Sequence, residues 1–152
     1  MGDYLKKQIE FEEGRRLQKY KCTAGHWTIG IGHNLDAKPY HRGEKIPDVI
    51  DDALCDAIYE ADVGHVIDGL DAAWHGFRML TGARQDAVIN MAFQLGVQGF
   101  MRFVKMRDAL VRAEWAKAEK EALASAWAKQ TPNRAKRVSE QIRTGEHYEI
   151  PT

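Results

Sequence analysis

The chain has 152 residues and 17.3 kDa, with 22 basic and 22 acidic side chains. That length is one domain's worth; 44% hydrophobic and 29% charged residues exclude general disorder, and a net charge of zero excludes a binder of nucleic acid by bulk charge. The zero is a cancellation: residues 1–76 hold 9 Lys/Arg against 14 Asp/Glu, net −5, and residues 77–152 hold 13 against 8, net +5.

In chain order, Asp3 can cap a first helix that carries Leu5 and Ile9 on one face and stops at Gly14. Residues 16–35 change to strand-friendly types, among them Leu17, Tyr20, Thr28, Ile29 and Ile31, interrupted by Gly25, Gly30 and Gly32. This predicts a hairpin or small sheet. Residues 36–48, with Pro39, Gly43 and Pro47, read as loop. The helical period returns at Asp51 and predicts a long helix to about Gly69. Further helices are expected over 71–80, 83–95, 100–112 and 114–129. The last starts at Thr131-Pro132 and runs toward Gly145. The fold class is α+β, mainly helical, with its strands in the first third.

Two cysteines, Cys22 and Cys55, are too few for a disulfide scaffold, and their spacing does not resemble a paired zinc motif. One bridge between them is left open. No stretch approaches the roughly 18 apolar residues of a membrane span. The N-terminus has no apolar signal core, and Lys6 stands where a myristoylation site wants Ser or Thr. The expectation is synthesis as a soluble cytoplasmic chain without stable membrane anchoring.

Glu13 sits at the end of the first helix, where the helix dipole disfavours negative charge. A carboxyl kept protonated there suits general-acid chemistry. Taken alone, Glu13 reads first as a solvated glutamate, Cys22 as a small core residue, and Thr28 as an ordinary strand residue. Together, Glu13-Gly14 followed by Thr28-Ile29-Gly30-Ile31-Gly32-His33 resembles the active-site segment of the phage-type lysozymes, the T-even endolysin family of glycoside hydrolases. The blocks Ala87–Gly96 and Trp127–Val138, the latter containing Lys129-Gln130-Thr131-Pro132-Asn133-Arg134, resemble the same family in the same order. The region between Asn34 and Asp48 is less similar.

The resemblance implies a single catalytic domain over 1–152 with a lysozyme-like two-lobe fold. A β-containing lobe at about 13–50 would be joined by the helix at 51–69 to a helical lobe at 70–152. It implies hydrolysis of the β-1,4 bond between N-acetylmuramic acid and N-acetylglucosamine in bacterial peptidoglycan, an N-acetylmuramidase activity without cofactor or metal. Glu13 matches the family's general acid and Thr28 the threonine that helps place the attacking water. Arg134 matches an arginine that pairs with the glutamate. His33 and Asp62 match a structural ion pair. Phe93 and Gln94 match residues at the cleft floor. Implied too are a monomer, release from the host cytoplasm to the wall through a membrane hole made by a separate holin, and host cell lysis.

Cys22 departs from the pattern, because aspartate is common at that position. Three roles stay open: a thiolate acting as nucleophile or charge stabiliser, a neutral thiol that helps hold the water, or no essential part. Lys21 would favour the thiolate, but adjacent strand residues point to opposite faces. For the same reason Trp27 should face away from Thr28. Trp127 is expected to pack inside the helical lobe, with sugar stacking as its alternative. The run Lys129, Arg134, Lys136, Arg137 and Arg143 suits attraction to an anionic wall or simple solvation. Competing functions are a lytic transglycosylase, a wall-binding relic without catalysis, and a DNA-binding helical domain.

Overall fold

The computed structural model describes residues 3–37 and 45–151. The chain divides into two compact units, Met1–His65 and Val66–Thr152, and the division falls inside one helix.

In the first unit, α1 (Asp3–Glu13) buries Leu5 and Ile9, one turn apart. It stops at Gly14, whose φ of 79° suits glycine and whose N–H closes the last turn on the Glu10 carbonyl at 2.7 Å. Then come β1 (Arg16–Lys21), β2 (Trp27–Gly30) and β3 (His33–Asn34), an antiparallel sheet in the order β1-β2-β3. Tyr20 pairs with Thr28 and Lys21 with Trp27, and an irregularity lies between Arg16 and Tyr20. Thr28 pairs with Asn34 and Ile29 with His33. Pro39 and Gly43 of the expected loop lie outside the described residues. Its described end, around Pro47, is irregular until Val49 bridges to Gln18.

α2 (Asp52–Ala73) begins after Asp51, whose carboxylate accepts the Leu54 N–H at 2.8 Å as an N-cap. It runs past the expected end at Gly69. A Cβ at Gly69 would lie 2.8 Å from Val97 Cγ2, so this glycine serves a close approach rather than a stop. Arg15 fastens the α1–β1 joint to α2. It donates to Asp56 at 2.6 Å, Glu10 at 2.8 Å and Asp52 at 2.9 Å.

The second unit is helical. The expected helix at 71–80 is corrected: its start belongs to α2, and His75–Met79 is a short 3-10 helix. α3 (Gly82–Leu95) follows as expected, ending at Gly96. The span 100–112 is also corrected, to α4 (Val97–Met101) and α5 (Val104–Val111). The span 114–129 breaks into α6 (Trp115–Leu123) and α7 (Ala126–Gln130). Ser125 makes that break, its hydroxyl accepting the Ala128 N–H at 3.3 Å. α8 (Pro132–Thr144) has proline in its first turn and stops at Gly145 in the left-handed region.

α8 buries Arg134, Ala135, Val138, Ser139, Gln141 and Ile142, a stripe at helical spacing. It packs on α3, α6 and α7. Gln141 donates to the Ala83 carbonyl at 2.7 Å, and Arg84 returns the tie by donating to the Ile142 carbonyl at 2.7 Å. No helix among the described residues is long and apolar enough to cross a membrane.

Candidate functional site

Glu13, Cys22 and Thr28 all belong to the first unit, as do His33 and Asp62. Glu13 is the last residue of α1 and is half-buried. Beyond it the chain turns at Gly14 into β1, so the carboxylate stands where the helix hands over to the sheet. Gly32 touches it: a Cβ built there would lie 2.6 Å from Glu13 Oε1.

Cys22 opens the β1–β2 connection. Its N–H donates to the His26 carbonyl at 2.9 Å, and the Gly25 N–H donates to the Cys22 carbonyl at 2.8 Å. Gly25 has a φ of 85°, the left-handed residue that lets so short a loop close. Thr28 is buried beside this loop, and its hydroxyl donates to the His26 carbonyl at 3.0 Å.

The loop determines the character of the thiol. Hydrogen bonding from the His26 backbone N–H lowers the Cys22 pKa below its ordinary value. The backbone of Ala24 and Gly25 and the Thr28 hydroxyl act in the same direction, while desolvation opposes them. Lys21 is not among the leading contributors. It lies over the Trp27 ring at 5.2 Å, as Lys19 does at 4.7 Å, on the outer face, where Trp27 is exposed.

Thr28 carries one hydroxyl proton. With Cys22 neutral, the thiol can donate to Thr28 while Thr28 donates to the His26 carbonyl. With Cys22 ionised, the Thr28 proton has to turn toward sulfur. The Thr28 hydroxyl thus has two neighbours, the His26 carbonyl and the Cys22 sulfur. Both cysteines are free, and Cys55 is buried on α2, where burial raises its pKa.

Tyr20 joins this neighbourhood, and sequence reasoning did not select it. It is two residues from Cys22 and directly opposite Thr28 in the sheet. Burial raises its pKa; Arg16 lowers it, and negative charge on Glu13 and Cys22 raises it further. The Arg16 guanidinium lies 4.3 Å from the ring centre. The period of two along β1 was the available signal.

His33 is buried and its Nδ1 lies 2.7 Å from Asp62 Oδ2, tying β3 to α2. In the second unit, Arg134 is buried and donates through Nε and Nη2 to Asn90 Oδ1 at 3.1 and 2.9 Å, and through Nη2 to the Asn90 carbonyl at 3.2 Å. Asn90 is a second residue that sequence reasoning passed over, although it stands inside the Ala87–Gly96 block. Phe93 and Gln94 are half-buried on α3. Gln94 is oriented by Trp127, whose indole N–H donates to its Oε1 at 2.8 Å. Trp127 is itself buried, edge-on to Phe103, and so packs inside its unit. No group of three or more His, Cys, Asp or Glu among the described residues is arranged to hold a metal ion.

A family model described as phage lysozyme matches residues 10–143. A Dictyostelium discoideum protein named "Probable T4-type lysozyme 1" is 31% identical, over 95% of this chain and 96% of its own. The pre-baseplate central spike protein Gp5 of Enterobacteria phage T4 is 30% identical over 93% of this chain and 28% of its own length. An endolysin of Acyrthosiphon pisum secondary endosymbiont phage 1 is 32% identical over 60% of this chain and 57% of its own. With a family model spanning most of its length and a relative matched almost end to end, the chain belongs to the phage lysozyme family.

Proposed function

We propose that this lysozyme-type glycosidase hydrolyses the β-1,4 bond between N-acetylmuramic acid and N-acetylglucosamine in bacterial peptidoglycan, as an endolysin that lyses the host. What supports the reading is that Cys22 and Thr28 share the β1–β2 connection and Glu13 lies against Gly32 at the next turn, in a chain of this family. Glu13 acts as general acid and gives its proton to the leaving glycosidic oxygen. Water attacks the anomeric carbon as the C–O bond breaks and sheds one proton to solvent, from which Glu13 is reprotonated. Thr28 orients that water.

Cys22 takes the place of a carboxylate. The lowering of its pKa by backbone N–H groups raises its thiolate share above that of an ordinary cysteine. In that form it places negative charge near the oxocarbenium-like transition state. Phe93 and Gln94 contact the glycan, with Gln94 held by Trp127. The family motif alone carries the pairing of Arg134 with Glu13, which needs a double-mutant cycle to test it. The domain, in this reading, works as a monomer and reaches the wall from the host cytoplasm through a hole made by a separate holin.

Digestion of purified peptidoglycan followed by mass spectrometry of the products tests the activity. The expected products carry reducing N-acetylmuramic acid ends. Anhydro ends would make the enzyme a lytic transglycosylase, which needs no second carboxylate. Binding without cleavage would leave a wall-binding relic. Glu13→Gln should lower the rate by roughly 10²–10⁴-fold, and a variant as active as wild type would remove Glu13 from the acid role.

A further inference from the structure

The second glycine of the Gly30-Ile31-Gly32 segment has a task besides its backbone conformation. Gly32 has a φ of 65°, and a Cβ on it would meet Glu13 Oε1 at 2.6 Å, Cδ at 2.9 Å and Cβ at 3.0 Å. The glutamate side chain thus lies along the bare Cα of Gly32, in space that any other residue would occupy. The backbone beneath is fastened on both sides. Ile31 is buried at 1% exposure, and His33 is buried and held to Asp62 at 2.7 Å. The floor under Glu13 therefore has little room to recede.

We propose that Gly32 is a positioning residue for Glu13: its bare Cα, pinned between buried Ile31 and the His33–Asp62 pair, sets where the carboxyl stands. This rests on the reading of Glu13 as the general acid. Gly30 supplies a matched control. It has the same φ of 65°, but its added Cβ would meet only Cys55 Sγ at 3.5 Å and Ile50 Cδ1 at 3.8 Å, which are ordinary contacts. An alanine at either position bears similar backbone strain, and only one of them displaces Glu13.

Gly32→Ala and Gly30→Ala are compared by thermal denaturation and by steady-state kinetics on purified peptidoglycan. Gly32→Ala should lose kcat by about 10²-fold, the cost of an ångström-scale misplacement of a reacting group. Its KM should change little, and the acid limb of its pH–rate profile should move. Gly30→Ala should lose stability while keeping kcat near wild type. Equal kcat in the two alanine variants would overturn the proposal. If Gly32→Ala is too unstable to assay, Glu13→Ala is added: relief of part of the lost stability supports the contact, and strict additivity overturns it. The two readings fail separately. Wild-type activity in Glu13→Gln defeats the general acid, whereas an inactive Glu13→Gln with Gly32→Ala matching Gly30→Ala defeats only the positioning.

Discussion

If Cys22 stands in for a carboxylate, as proposed, the backbone around it is what favours the anionic form. N–H groups of the hairpin loop point at sulfur, with the Thr28 hydroxyl beside them. Such groups are fixed by the fold and need no charged neighbour. This explains why the local sequence gave mixed signals. Lys21 sits next to Cys22 in the chain but lies on the Trp27 face, while Thr23-Ala24-Gly25 has no charge to attract notice. The resemblance singled out Glu13, Cys22 and Thr28 as candidates; the N–H groups around Cys22 were illegible, because every residue but proline carries one. Iodoacetamide labelling at a series of pH values checks this. Cys22 should react well ahead of Cys55, which is buried with a raised pKa. The labelling midpoint of Cys22 should fall below the ordinary value of 9.0. A midpoint at or above that value would dismiss the loop as a source of thiolate character. Loss of wall clearing in step with Cys22 labelling would tie the thiol to function.

Among the elements, those with explicit punctuation were legible. Gly14, Asp51, Thr131-Pro132 and Gly145 mark real helix ends. The errors fell where the marks mislead. Gly69 looks like a stop but makes room for Val97, and the alanine-rich run at 114–129 hides a break that only Ser125 announces. The tie between α1 and α2 was equally hidden, since Arg15 reaches partners 37 and 41 residues away. Asp56 receives Arg15 at 2.6 Å and Lys6 at 3.0 Å. Hydrogen bonding from Arg15, then from Lys6, lowers its pKa in the folded chain. A lowered carboxyl pKa means that the folded state holds the proton less tightly than the unfolded chain does. The stabilisation is therefore fully present above the unfolded value of about 3.9 and is lost as pH falls through the folded value. Asp56 is 39% exposed, so screening limits the pair to below about 1 kcal/mol. Asp56→Asn should lower Tm by less than about 4 °C near pH 6. The gap from wild type should close on acidification below about pH 4. A gap that stays constant down to pH 2 would show that the carboxylate's charge contributes nothing there.

For the whole molecule, the charge asymmetry seen in the sequence persists when counted by compact unit rather than by half. Residues 1–65 hold 9 Lys/Arg and 12 Asp/Glu, net −3, and residues 66–152 hold 13 and 10, net +3. The basic run near α8 is not a uniform patch, however. Arg134 is buried on Asn90, Arg143 donates to Glu119 at 3.2 Å, and Arg137 lies 5.9 Å from the centre of the Tyr148 ring. Lys129 and Lys136 remain, both exposed and without an ion-pair partner among the described residues. If the substrate is an anionic wall, these two lysines are the members of the run best able to steer it, because their charge is neither buried nor neutralised. Steering by exposed charge acts through solvent and is screened over about 8–10 Å at physiological salt. Lys129→Glu with Lys136→Glu should therefore slow clearing of permeabilised cells most at low ionic strength. The variant should converge on wild type as salt is raised, with kcat on soluble glycan fragments unchanged. Parallel salt dependences for wild type and variant would mean that these lysines merely solvate the helix. The net +3 would then be incidental to how the enzyme meets the wall.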